Sequence, residues 1–249
     1  MKISLITVTY NSARFLEDCI KSVIMQDYHN IEHIIVDGGS NDGSVAIIEK
    51  YSDHISKWIS EKDNGMYDAI NKGMAMATGD VIGILNSDDI LASTDVMSSI
   101  AKTFKENNVD SIYGDLAYVE QMDTGKIHRF WKGNSYKRSR FMFGWMPAHP
   151  TFYVKKDVVD KFGGYESHFY TAADYEFMAR YLFMNKVTSY YIPKLLVRMR
   201  IGGMSNNNLK SRFRANRRDF LAMKKNKIPF PFIVSILKPL RKLPQYFKK

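Results

Sequence analysis

Four short runs rich in β-branched residues divide the first third of the chain: Ile3–Val8, Ile31–Val36, Ile55–Ser60 and Val81–Leu85. The first, ISLITV, lacks the strict alternation of a half-exposed strand and suits a parallel strand buried on both faces. Helical patterns fill the gaps. Asn11-Ser12 offers an N-cap to a helix with Phe15, Cys19, Ile20, Val23 and Ile24 on its apolar face. Val45–Tyr51 reads as a second helix. Met66–Thr78 reads as a third from the spacing of Met66, Ala69, Ile70, Met74 and Ala77, and Gly79 stops it. Strand and helix in alternation predict an α/β fold with a mostly parallel, right-handed central sheet.

Beyond Ile90 the pattern loosens. Thr94–Lys105 predicts a helix, Ser111–Tyr113 a strand, His149–Val154 a strand, Asp174–Tyr181 a helix and Leu195–Met199 a late strand. Phe130–Met146 is aromatic and basic without a clear period, as expected of a mobile loop that meets an acceptor. No internal repeat or low-complexity segment is present.

In a parallel sheet the strand exits converge at one end, where α/β proteins hold their ligands. Here those exits are Thr9-Tyr10-Asn11, Asp37-Gly38-Gly39-Ser40, Glu61-Lys62-Asp63-Asn64 and Asn86-Ser87-Asp88-Asp89. They supply a ring for stacking, carboxylates for ribose or base, and two adjacent acids. Neighbouring carboxylates repel unless a cation lies between them, and a hard divalent ion is the natural one. The inventory suits a nucleoside diphosphate. No GxxxxGK[ST] loop and no GxGxxG after the first strand point to ATP hydrolysis of that type or to a dinucleotide. Taken alone, Asp88-Asp89 also reads as a solvated turn, Asp174 as a helix N-cap, and Tyr10 as an edge-packed ring. His149 is open between reaching a metal or diphosphate and holding its loop. Arg198 and Arg200 alternate along one strand, facing diphosphate or core carboxylates.

These residues carry a resemblance. TVTYN (Thr7–Asn11), IIVDGGSNDGS (Ile34–Ser44), DNGMYDAINKGMAMATGD (Asp63–Asp80) and LNSDD (Leu85–Asp89) resemble, in this order, the nucleotide-sugar half of family-2 glycosyltransferases of the GT-A fold. HPTFYV (His149–Val154), AADYE (Ala172–Glu176) and RIGGMS (Arg200–Ser205) extend it over roughly residues 1–205. The resemblance implies a donor half over 1–90 and an acceptor and catalytic half over 91–205. Thr9, Tyr10, Asn11, Asp37, Asp63, Asn71 and Asp88 would bind the donor. Asp88, Asp89 and His149 would be the metal candidates for Mn²⁺ or Mg²⁺, and Asp174 the base of an inverting transfer from a UDP- or GDP-sugar. The acceptor would be a glycan or a polyprenyl-linked glycan of bacterial cell-surface polysaccharide synthesis. Three positions depart from the family pattern: Gly38 where a second acid is common, Asn86 at the first DXD position, and Ala173 before Asp174.

The net charge of +10 divides unevenly, with thirteen Lys/Arg against one acid, Asp219, from Asn206 onward. The body is close to neutral, which argues against nucleic acid as the partner. Residues 206–249 read as a basic amphipathic tail, broken by prolines at 229, 231, 239 and 244, that lies on an anionic membrane face or packs on the body. No apolar stretch has the length of a membrane span or of a signal peptide. The lone Cys19 makes no internal disulfide, which with the rest predicts a cytoplasmic protein, peripheral at the inner membrane face. A nucleic-acid-binding protein and a metal-dependent nucleotidyltransferase are the competing classes.

Overall fold

In the computed structural model, which describes residues 1–202 and 209–241 (with no side-chain description for 209–213), β1 (Ile3–Thr9) is buried at all seven positions. It lies between two parallel neighbours, β2 (Ile31–Asp37) and β4 (Val81–Ile84), and β3 (Lys57–Ser60) adds to β2 in the same direction. Flanking helices α1 (Ala13–Ile24), α2 (Ser44–Lys50) and α3 (Met66–Met76) alternate with these strands as the sequence pattern requires. Cys19 is fully buried in the core, and burial pushes its thiol far up, so it stays an uncharged filler.

The parallel arrangement holds over β3-β2-β1-β4, and the second half makes the sheet mixed. β5 (Ile90–Leu91) and α4 (Val96–Glu106) are followed by β6 (Ser111–Val119), β7 (Ile127–Trp131), β8 (Tyr153–Lys155) and β9 (Ser189–Arg200). β8 runs antiparallel to both β4 and β6, whereas β6 and β9 are parallel. β7 and β5 add antiparallel to β6 and β9 respectively. The strand order is therefore β3-β2-β1-β4-β8-β6-β9-β5, with β7 on β6.

Three expectations change. The strand expected from His149 starts only at Tyr153, because Pro150 has no N–H for a ladder and His149–Thr151 forms one 3₁₀ turn instead. Phe130–Met146 is not an open loop: Phe141 is fully buried, and Trp145 meets it edge-on at 5.5 Å. Tyr136 also donates to the Leu182 carbonyl at 2.7 Å. The helix at Asp174 is α6 (Ala173–Met178), after a 3₁₀ stretch (Ser167–Ala172) and α5 (Lys156–Phe162), and it widens into a π turn at Ala179–Met184.

The tail forms α7 (Leu209–Lys225) and α8 (Pro231–Leu240), and both pack on the body. Lys225 pairs with Glu166 and, at 3.1 Å, with the buried Glu176 of α6. Lys238 pairs with Asp219 at 2.6 Å and sits over the Tyr175 ring. Gly144 lets α8 approach so closely because a Cβ there would lie 2.6 Å from the Lys238 Cα. Pro231 occupies the first turn, and Pro239 lies inside α8 near its end rather than breaking it. Among the described residues no helix is long and apolar enough to cross a membrane. Gly203–Ser205, the 205/206 boundary, the Arg212 and Phe213 side chains, and Lys242, Leu243 and Pro244 lie outside the described residues.

Candidate active site

Because β1, β2, β3 and β4 run parallel, Thr9, Asp37, Ser60 and the Asn86–Asp89 turn all emerge at one end of the sheet. Tyr10 is 66% exposed there. Its ring borders Gly38, where a Cβ would meet Tyr10 Cδ2 at 3.3 Å and Asp63 Oδ2 at 2.5 Å. The Asp63 carboxylate thus occupies the room that a side chain at position 38 needs, which gives the departure at Gly38 a physical cause. Asn11, at a φ of 48°, donates its N–H to Ser40 and accepts from the Asn41 N–H at 2.9 Å, joining the first two exits. Asp37 is fully buried, and its carboxylate accepts from the N–H groups of Gly39 and Ser40 and from the hydroxyls of Ser40 and Ser60. It shapes the turn after β2 that Tyr10 and Asp63 border. The buried hydroxyl of Thr9 and side-chain oxygen of Asn86 have no protein partner among the described residues.

The two adjacent acids separate in role. Asp89 is fully buried, with one oxygen accepting from the Arg200 N–H at 3.1 Å and the other from the Asn86 amide at 3.0 Å. Burial, and then the charge of Asp88, hold its carboxyl well above the usual range. Asp88 is only half-buried; burial raises its carboxyl too, and Arg200 partly offsets this. The Arg200 guanidinium goes to the Asp88 carbonyl, the Gln121 carbonyl and Asp18, and it lies over the Phe15 ring. Arg198 donates to the Thr124 carbonyl.

Asp174 sits in the first turn of α6, half-exposed, with one oxygen accepting from the Tyr175 N–H at 2.6 Å. Around it lie His149, Tyr165 and Tyr67, each of which feels its charge. His149 Nε2 is 2.6 Å from the Tyr165 hydroxyl, and burial lowers the imidazole pKa, partly countered by Asp174. Tyr165 is stacked on Phe177 at 4.2 Å on one side and faces Tyr67 of α3 at 5.4 Å. Asn71, also on α3, accepts from the Tyr165 N–H and donates to its carbonyl, both at 2.8 Å. Its amide is therefore spent on bracing Tyr165.

Among the described residues no three His, Cys, Asp or Glu side chains come together to chelate one ion. Asp88, Asp89 and His149 are thus not gathered into a single ligand set: Asp89 is turned inward and His149 is held by Tyr165. Asp88 by itself fits an ion shared with a diphosphate, since such an ion takes one or two protein carboxylates and completes its shell with phosphate and water. Sequence reasoning missed Tyr67 and Tyr165, and nothing marks them out among fifteen tyrosines.

Residues 4–162 match the family described as Glycosyl transferase family 2. An uncharacterized glycosyltransferase of Mycobacterium tuberculosis is 33% identical over 187 residues, 72% of this chain and 68% of the relative. A PGL/p-HBAD biosynthesis glycosyltransferase of Mycobacterium bovis is 27% identical over 84% of this chain and 81% of its own length. Among solved structures, residues 1–349 of S. aureus TarS match with a TM-score of 0.72 and 18% identity, covering 98% of this chain and 72% of that one. The chain spans 44% of the longer TarS chain. The mannosyltransferase PcManGT of Pyrobaculum calidifontis, solved with GDP-Man and Mn²⁺, matches with a TM-score of 0.66 and 17% identity over 95% of this chain and 68% of that one. These likenesses establish the GT-A type of α/β fold.

Proposed function

Because the chain belongs to glycosyl transferase family 2, we propose that it transfers a sugar, with inversion, from a UDP- or GDP-linked donor to a glycan or polyprenyl-linked acceptor. The observation that carries this reading is the position of Asp174. Its half-exposed carboxylate stands beside Tyr67 of the donor half and Tyr165 of the acceptor half, at the seam where a donor anomeric carbon and an acceptor hydroxyl would meet.

Tyr10 stacks on the base and Asp63 beside it accepts from the base or ribose. Thr9 and Asn86 stand at the exits of β1 and β4 beside them, each with a buried oxygen that lacks a protein partner among the described residues. The acceptor hydroxyl loses its proton to Asp174 as its oxygen attacks the anomeric carbon, and the bond to the diphosphate breaks with the electron pair leaving on the nucleotide. Asp88 would hold the Mn²⁺ or Mg²⁺, which when bound neutralises charge on the leaving diphosphate. Asp89, through Asn86 and Arg200, fixes the turn that presents Asp88.

The neutral body and the pairing of Lys225 and Lys238 with Glu166, Glu176 and Asp219 favour this reading over a nucleic-acid-binding one. We place the reaction in the cytoplasm, at the inner face of the membrane where lipid-linked acceptors are presented. The test is a screen of UDP- and GDP-sugars with Mn²⁺ or Mg²⁺, with Asp174→Asn beside the wild type. The variant should keep donor binding and lose about 10²-fold or more in transfer; transfer at the wild-type rate would remove Asp174 as the base.

A further inference from the structure

The outer face of α8 is apolar and uncovered. Phe232, Ile233, Ile236 and Leu240 are 67%, 54%, 46% and 52% exposed, while Val234, Ser235 and Lys238 face the body. Spacing at i, i+1, i+4 and i+8 puts the four exposed side chains on one side of a helix. Phe230, 75% exposed in a left-handed conformation just before the helix, extends the patch. Phe143, 56% exposed, adds to it from the 3₁₀ turn (Arg138–Phe143) against which α8 packs. Single exposed apolar residues are ordinary, but a contiguous set of this kind marks an interaction surface.

The surroundings say what it fits. The turn and helix that carry the patch, residues 138–143 and 230–241, contain no acid and two Lys/Arg each. Arg241 follows α8 near Arg140, and burial together with that second guanidinium depresses its pKa. An apolar stripe with a rim of one sign, on a helix too short to span, is the design of a segment lying in a lipid interface.

We propose that the outer face of α8, with Phe143 and the Arg140–Arg241 pair beside it, docks on an anionic lipid surface. Docking then sets the height of the catalytic half, because α8 and α7 grip α6 directly: Lys238 lies over Tyr175 and Lys225 pairs with Glu176, the two residues after Asp174. A sugar acceptor carried on a lipid would meet Asp174 at a fixed distance from the headgroups. The docking surface itself does not depend on the transfer reading.

The full chain is tested by co-sedimentation with phosphatidylcholine vesicles and with vesicles that also contain phosphatidylglycerol. Two variants, Phe232→Ser with Ile236→Ser and Arg140→Gln with Arg241→Gln, are compared after thermal melts confirm folding. The wild type should pellet with the phosphatidylglycerol vesicles alone, and each variant should bind about tenfold or more weakly. Absence of wild-type binding, or binding by both variants as tight as the wild type's, overturns the proposal. So does wild-type self-association in lipid-free solution that the first variant abolishes without any vesicle binding, since the face then joins two copies. Transfer to a water-soluble acceptor should be unchanged in both variants, which keeps a failure of docking apart from a failure of the glycosyl-transfer reading.

Discussion

The backbone N–H of Arg200, the last residue of β9, donates to the buried carboxylate of Asp89, 111 positions earlier in the chain. The same arginine sends its guanidinium to the Asp88 carbonyl at 2.7 Å. The acidic turn after β4 is therefore clamped from β9, with the Asp89 carboxylate buried on its partners and Asp88 half-buried.

That division predicts different phenotypes for two neighbouring substitutions. Asp88→Asn should leave thermal stability within about 0.5 kcal/mol, as for a rim position without a side-chain partner, and should lose metal-dependent nucleotide binding. Asp89→Asn keeps one acceptor oxygen and sets an amide NH₂ against one of its two donors, the Asn86 amide or the Arg200 N–H, and should cost about 1–3 kcal/mol. Denaturant melts and calorimetric UDP and GDP titrations with and without Mn²⁺ would separate them. Equal destabilisation of both variants would refute the division.

Asn71 gives a second discrimination. If its amide acts by bracing Tyr165, Asn71→Ala should cost roughly 1–3 kcal/mol through two unmet backbone groups and lower kcat while leaving donor affinity nearly intact. A loss confined to donor affinity, with kcat and stability unchanged, would return Asn71 to the donor site.

What the sequence disclosed follows from how local the signal was. β1, β2 and β4 are apolar runs whose period reports burial directly, so strand, direction and converging exits were readable. β6 was read at a third of its length and β9 at under half, because Asp115 and Lys194 interrupt their apolar pattern. Asp115 is nevertheless accommodated at a register shift, where it accepts from the Gly133 N–H and the Tyr191 hydroxyl, both at 2.8 Å. In the site, residue types that reach outward (Tyr10, Asp88, Asp174) were legible as chemistry. The inward turn of Asp89 was not, since its partner is a backbone N–H from another strand. The tail's charge was legible, but its packing was not, because Lys225 and Lys238 find their acids only in three dimensions.

Buried His33 and Glu32 both contribute to the acid limb of stability. Burial lowers the His33 pKa to about 4, whereas the unfolded chain titrates histidine near 6.5. The unfolded state thus binds more protons between these values, and stability should fall as pH drops through that window. Burial raises the Glu32 carboxyl, but hydrogen bonds from Ser4, Thr78 and Lys2 outweigh this and hold it far below the usual glutamate range. Its contribution is full above about pH 4.5 and is lost as pH falls further. Urea midpoints measured at about pH 7, about 4.5 and about 3 should fall in two stages, with His33→Gln flattening mainly the first and Glu32→Gln the second. An unchanged slope in both variants would show that other groups govern the acid response.

Tyr170 holds a φ of 47° and a ψ of −121°, a region costly for any residue with a Cβ, at a position four before Asp174. Such strain costs on the order of 1–3 kcal/mol. Its ring is 60% exposed and lies under Arg218 of α7 at 4.4 Å, a contact contributing about 0.5–1 kcal/mol. Attraction of that size does not offset the strain alone, so the conformation is imposed by the packing of α7 and α6 on either side. Two substitutions isolate it, since Tyr170→Ala and Tyr170→Gly both lose the ring and only glycine relieves the backbone. At ordinary positions glycine is the less stable by about 0.5–1 kcal/mol; here it should be the more stable, by about 1 kcal/mol or more. A chemical melt in which alanine equals or exceeds glycine would show the backbone to be unstrained. If the exposed ring also contacts the acceptor, both variants should raise acceptor KM alike, whatever their order in stability.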